Sequence, residues 1–217
     1  MKKSGRYKTS HLVEAQYELG SRGLVLKNLL GIKRKREMDR VEGVEYARTL
    51  SDAVKMYGQQ HRFTVEDVCK LHKLWLGTIY AWAGQYRQVN LVKGEFPFAP
   101  AAQIPRLMEE FERGPLGRFT PSRFKEEGKV VEALAVVHAE LVLIHPFREG
   151  NGRIARLLSF LMALQAGLPP LNFGNIQGLV KKEYFSAVQI ALGGDYKPMG
   201  RIFSAVISRT RRLSAGR

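Results

Sequence analysis

Two apolar stretches flank a segment that cannot continue a helix. Val130, Val131, Leu134, Val137, Leu141 and Ile144 recur at helical spacing. Leu157, Leu158, Phe160, Leu161 and Leu164 do so again, ending at Gly167 with Pro169 and Pro170 beyond. Between them lie His145-Pro146 and Gly150-Asn151-Gly152. Proline disfavours helix in the residue before it. Two glycines around one asparagine leave a backbone that no side chain shields. The most apolar part of the chain must therefore fold as helix, bare loop, helix.

The rest reads as mainly α. Apolar spacing predicts helices over 22–31 and 38–57. Thr64 and Asp67 form a capping box opening a third, whose buried face runs Val65, Val68, Leu71, Trp75, Ile79 and which Gly84 ends. Tyr86 to Val92 alternates like a strand, Lys93-Gly94 turns, and Phe96 to Phe98 returns, giving one short hairpin. Further helices are expected over 101–111, 179–192 and 198–212, with a loop over 114–128 and irregular chain over 1–20.

Cys69 is the only cysteine, so no internal disulfide forms and a reducing cytoplasm is expected. Cys69 itself reads as a core residue. The basic N-terminus has no apolar segment after it, so no signal peptide is expected. Ala133 to Ile144 is interrupted by His138 and Glu140 and is too short to span a bilayer, so no membrane partner is expected. The net charge of +15 favours anionic partners without choosing among them. The basic run Lys33 to Arg36 fits a nucleic-acid patch, but Glu37, Asp39 and Glu42 dilute it, and a solvated face fits better. Nucleic acid is not expected, although the charge leaves it open.

The segment from His145 to Arg156 carries the chemistry. Backbone N–H groups around Gly150 and Gly152, at a helix start, attract phosphate. Arg153 and Arg156 stand one turn apart and offer guanidinium forks to phosphate oxygens. Glu149 is the segment's sole carboxylate, suited to Mg²⁺ beside a polyphosphate. His145 is a candidate base for a hydroxyl attacking phosphorus.

This stretch resembles the signature of the Fic family, His-x-Phe-x-Asp/Glu-Gly-Asn-Gly-Arg-x-x-Arg, with every specified position filled. Ile79-Tyr80-Ala81-Trp82-Ala83-Gly84, followed by Tyr86-Arg87, resembles the family's approach to its flap hairpin. The likeness covers residues from about 60 to 210. It implies a Fic-type helical domain over 60–213, built on a central helix-loop-helix motif with a small β-hairpin flap, behind an N-terminal extension over 1–59. It implies a bacterial-type protein adenylyltransferase that moves AMP from ATP, with Mg²⁺, to a Ser, Thr or Tyr hydroxyl of a target protein. By position, His145 would be the base, Phe147 the core anchor and Glu149 the metal ligand. Gly150, Asn151 and Gly152 would hold the α/β-phosphates, and Arg153 and Arg156 the β/γ-phosphates. Val89, Asn90, Leu91, Lys93 and Phe98 of the flap would register the target by backbone pairing; the same pattern also fits an ordinary packing hairpin. Tyr184 is a candidate for the adenine pocket and equally a half-buried structural aromatic.

Many members of the family carry an inhibitory Ser/Thr-x-x-x-Glu-Gly/Asn helix whose glutamate pairs with the motif's final arginine. Met38 to Gly43 supplies the Glu-Gly half, so Glu42 is expected to reach Arg156, although Met38 departs from the pattern. Ser10 to Ala15 matches only the first half. The alternatives are a solvent-exposed Glu42 and a separate antitoxin-like inhibitor. Two rival functions stand beside the transferase: transfer of another phosphate-linked group (phosphoryl or UMP), and a basic nucleic-acid-binding regulator.

Overall fold

The computed structural model describes residues 11–174 and 179–215. Expectations for residues 1–10, Ser10 included, lie outside it. The chain enters through a 3-10 turn, Val13–Ala15, and then forms α1 (Lys35–Met56) and α2 (Val65–Leu76). A two-residue hairpin follows, β1 (Val92–Lys93) and β2 (Phe96–Pro97), with Val92 opposite Pro97 and Lys93 opposite Phe96. Next come α3 (Ile104–Phe111), a π-helical turn (Glu112–Leu116) and the short α4 (Gly117–Phe119). The last four helices are α5 (Glu127–Ile144), α6 (Asn151–Gln165), α7 (Leu179–Ala191) and α8 (Lys197–Ala215).

The mainly helical architecture with one small hairpin is as the sequence implies. α5 is the hub, packing against α3, α6, α7 and α8. That explains its composition, since Ala133, Leu134, Val137 and Ala139 are wholly buried on different faces of the helix. α1 lies across α2 and α6. The capping box at Thr64 is present: its hydroxyl accepts the Asp67 N–H at 3.2 Å, and the Asp67 carboxylate accepts the Thr64 N–H at 3.0 Å. Among the described residues no helix is long and apolar enough to cross a membrane.

Four local expectations are corrected. Residues 22–31 are not a helix. There the Asn28 amide donates to Leu26 and Ile32 carbonyls and accepts from the Leu30 and Ile32 N–H groups, while Gly23 and Gly31 take positive φ. One side chain thus satisfies backbone groups that a helix would have paired. α2 ends at Leu76 rather than at Gly84, and the chain turns through 77–84 to Gly84 at φ 82°. Of the expected strand 86–92, only Val92 is in the ladder. The π-helical turn and α4 replace the start of the loop expected over 114–128.

Candidate active site

His145 ends α5 in the left-handed conformation, φ 53° and ψ 57°. Pro146 explains why the helix cannot pass through it. Its N–H still closes the last turn onto Leu141 O at 3.1 Å, and Nδ1 lies 3.0 Å from Val142 O. A carbonyl only accepts, so Nδ1 carries the proton and Nε2 is left as the lone-pair nitrogen. Burial pulls the imidazole pKa down to about 4, against the raising effect of the Val142 bond, so the ring is neutral near pH 7. The Phe98 ring stacks on it at 3.6 Å between centroids.

From His145 the chain dives into the core and returns. Phe147 is wholly buried and stacks on His72 at 3.8 Å. Asn151, 2% exposed, folds its amide back onto Phe147, accepting its N–H and donating to its carbonyl, both at 2.8 Å. Both ends of its amide are thus engaged in shaping the loop. His72 pins the other side. Gly84 N–H donates to its Nδ1 at 2.8 Å, so Nε2 donates to Glu149 O at 3.0 Å. Burial lowers the His72 pKa to about 4, which keeps the ring in this neutral tautomer.

Gly150 caps α6 at φ 87°. A Cβ there would sit 2.6 Å from the Trp75 ring, so glycine is required twice over, by backbone and by contact. Beyond it the N–H groups of Asn151 and Gly152 open α6, and a Cβ on Gly152 would meet open space. Here the helix dipole and bare N–H groups present an anion site.

A cavity of about 990 Å³ joins these parts. His145, Glu149, Gly150, Gly152, Arg153, Arg156 and Tyr184 all line it, with Lys93 and Phe98 from the flap and Lys181 and Lys182 from α7. Val89, Asn90 and Leu91 do not reach it. Val89 is buried, and the Asn90 carboxamide accepts the Ala101 N–H at 2.8 Å. The lining is strongly cationic, Glu149 being its one carboxylate. Lys93 stands 4.6 Å over the Phe185 ring, its pKa lowered by burial and by Lys181. Tyr184 donates its hydroxyl to a tautomer-fixed acceptor. Ser159 spends its proton on Ala155 O, so His138 Nδ1 donates to Ser159 and Nε2 receives the tyrosine O–H at 2.8 Å.

Glu42 is brought to the site, but to a different arginine than expected. Its side chain is 3% exposed and lies 2.8 Å from an Arg153 Nη. Tyr80 donates its hydroxyl to Glu42 Oε1 at 2.8 Å, and Trp75 Nε1 donates to Glu42 O at 2.9 Å. These two anchors from α2 and the turn after it set the carboxylate beside the first turn of α6, one turn short of Arg156. Arg153 also lies 3.4 Å from Glu149 Oε1, with its guanidinium 4.4 Å over the Trp75 ring. Among the described residues no carboxylate pairs with Arg156.

The sequence reading missed His72, Arg87 and Tyr80 as parts of the site. His72 stands three residues before Trp75 on the buried face of α2, a spacing that could have marked it. Arg87 is fully buried behind His145, and no periodicity signals that.

The profile of the Fic/DOC family matches residues 62–163, which contain the whole loop from His145 to Arg156. The probable protein adenylyltransferase Fic of Escherichia coli K12 is 31% identical over 195 residues, covering 85% of this chain and 88% of that protein. VbhT of Bartonella schoenbuchensis, a protein adenylyltransferase, is 33% identical over 143 residues. That match covers 66% of this chain but 30% of VbhT, so the chain spans under a third of that relative's length. The crystal structure of BepC from Bartonella tribocorum with bound AMPPNP superposes with a TM-score of 0.71 at 21% identity, covering 90% of this chain and 97% of that one. The chain belongs to the Fic/DOC family.

Proposed function

We propose that this chain is a protein adenylyltransferase that transfers AMP from ATP to a Ser, Thr or Tyr hydroxyl of a target protein. The observation that carries this reading is the shared cavity. A neutral imidazole, a helix N-terminus and two arginines face one space large enough for a nucleotide. Relatives in E. coli and B. schoenbuchensis bear the name of this activity, and BepC binds an ATP analogue.

In this reading His145 Nε2 takes the proton of the target hydroxyl. The oxygen attacks the α-phosphorus, and pyrophosphate leaves with the bonding pair. Gly152 and the opening N–H groups of α6 hold the phosphates, and Arg153 and Arg156 neutralise their charge. The site works by position and electrostatics, since no covalent enzyme intermediate is required. Glu149 suits Mg²⁺: its side chain is 46% exposed into the cavity, and no cluster of three acidic, His or Cys ligands competes among the described residues. Such a lone carboxylate with phosphate oxygens matches magnesium's habits, and the ion would supply charge neutralisation there. Tyr184 would contribute to the nucleoside wall. The Lys93 and Phe98 side of the flap would meet the target.

Glu42 acts as an internal inhibitor in this reading. It competes with phosphate for Arg153 rather than for Arg156 as first expected, and it removes the need for a separate antitoxin-like inhibitor. The catalytic unit is residues 60–213, with α1 as the regulatory part of 1–59. A bacterial cytoplasm fits the lone cysteine. Incubation with ATP and Mg²⁺, followed by intact mass measurement of the protein and candidate targets, tests the reading. One AMP gained, and lost in His145→Ala, supports it. A phosphoryl or UMP mass instead would replace it with the corresponding rival.

A further inference from the structure

Arg87 is a cation with an unusual set of partners. It is 1% exposed, yet no carboxylate pairs with it among the described residues. All of its guanidinium bonds go to backbone carbonyls. Nε donates to His145 O at 2.7 Å and Nη1 to Val89 O at 2.6 Å. Nη2 donates to Ala99 O at 2.6 Å and, more weakly, to Ile144 O at 3.4 Å. Its own N–H donates to Pro146 O at 2.8 Å.

Those carbonyls belong to two things. Val89 and Ala99 are the two arms of the flap, on either side of the hairpin. Ile144, His145 and Pro146 are the end of α5 and the base itself. The fork geometry of a guanidinium is what allows one side chain to reach both. The carbonyls at the end of α5 carry the negative end of its dipole, and the Glu14 carboxylate nearby adds a favourable charge without pairing directly. Burial pulls the Arg87 pKa down to about 10, so it remains charged at neutral pH. His145 sits in a left-handed conformation that a non-glycine residue holds only when its surroundings impose it. The Phe98 ring, carried on the flap, covers the imidazole.

We propose that Arg87 is a positioning residue for the reaction, a clamp that fixes the flap and the His145 backbone as one rigid unit. A target segment lying on the flap is thereby held in constant register with Nε2. This rests on the adenylyltransferase reading only for its kinetic consequence.

The test uses the full chain with Arg87→Lys, which keeps a charge but loses the fork, and Arg87→Met, which keeps the bulk. In Arg87→Lys, kcat for transfer should fall by about 100-fold, the cost of a misplacement near one ångström. ATP affinity, read by calorimetry, should stay at the wild-type value, because α6 and its arginines are untouched. Backbone hydrogen exchange should speed up across 88–99 and at His145 but not in α6. Wild-type turnover in Arg87→Lys would overturn the proposal. So would exchange that rises equally in every helix, or failure of both variants to fold, since the residue would then be a general structural one. If the wild-type chain forms no AMP adduct on any target, the adenylyltransferase reading fails by itself. The exchange pattern then still decides whether the clamp exists.

Discussion

Glu42 Oε2 lies 2.8 Å from the Arg153 guanidinium, at the first turn of the helix that opens the anion site. The pair is inside the protein on one side and open to the cavity on the other: the Glu42 side chain is 3% exposed and that of Arg153 28%. A carboxylate in that place and a phosphate oxygen compete for the same guanidinium charge.

Glu42→Gln should free Arg153 while keeping an acceptor for the Tyr80 hydroxyl. AMP incorporation should rise by about tenfold or more, the effect of roughly 1.4 kcal/mol of released binding energy. Intact mass against time checks this. An unchanged rate would reduce Glu42 to a structural role.

Arg153→Ala and Arg156→Ala should differ in their response to Glu42→Gln. Arg156 has no carboxylate partner among the described residues, so its loss should weaken ATP binding in both backgrounds by roughly 1.5–3 kcal/mol, the range for a charged hydrogen bond. Arg153 is engaged at rest, so its loss should cost far more when Glu42 is Gln. A double-mutant cycle on ATP affinity reads the coupling.

Gly150→Ala should destabilise the fold by about 3 kcal/mol, because the new methyl strikes Trp75 and φ is positive. For a chain of this size that is a fall in melting temperature of roughly 6–12 °C. Gly152→Ala, facing open space, should melt near wild type and lose nucleotide affinity instead.

The pH dependence follows from His145. Its pKa is lowered to about 4 by burial, so the base form persists well below neutrality. Transfer should stay level from pH 8 to about 5.5, without the inflection near 6.5 of a solvated histidine. An inflection there would show the ring to be hydrated in solution.

Stability, unlike the rate, should fall as pH falls. His72 and His145 are lowered to about 4 and His138 to about 3, all mainly by burial. An unfolded histidine binds a proton near pH 6.5, so between 6.5 and 4 the unfolded state holds more protons than the native one. Stability is therefore full above 6.5 and lost as pH falls toward 4. Each histidine contributes up to about 1.4 kcal/mol per pH unit across that window. Urea midpoints measured across it should decline steeply, and less steeply in His138→Phe.

Helix formation and the central break were legible because they rest on local chemistry. The apolar runs of α5 and α6, the Thr64 capping box, Pro146 and the glycines dictate their conformations from nearest neighbours. The same holds for the gathering of Glu149, Gly152, Arg153 and Arg156 at one cavity, since their spacing on the loop and first helical turns sets it. Local chemistry failed at 22–31, where Asn28 outcompeted a helical periodicity for the backbone. Nor did it show that the Asn151 amide turns inward onto Phe147.

What the sequence by itself determined was the helix-loop-helix and the set of polar and charged groups it presents. Tertiary structure alone decided which groups meet. Trp75 and Tyr80 steer Glu42 to Arg153, His72 ties α2 to Glu149, and Arg87 ties the flap to His145. Each of these is a contact between residues far apart in the chain, made where a buried polar group must find a partner or pay in desolvation. Such pairings depend on where whole helices come to rest, and no local pattern of residues encodes that.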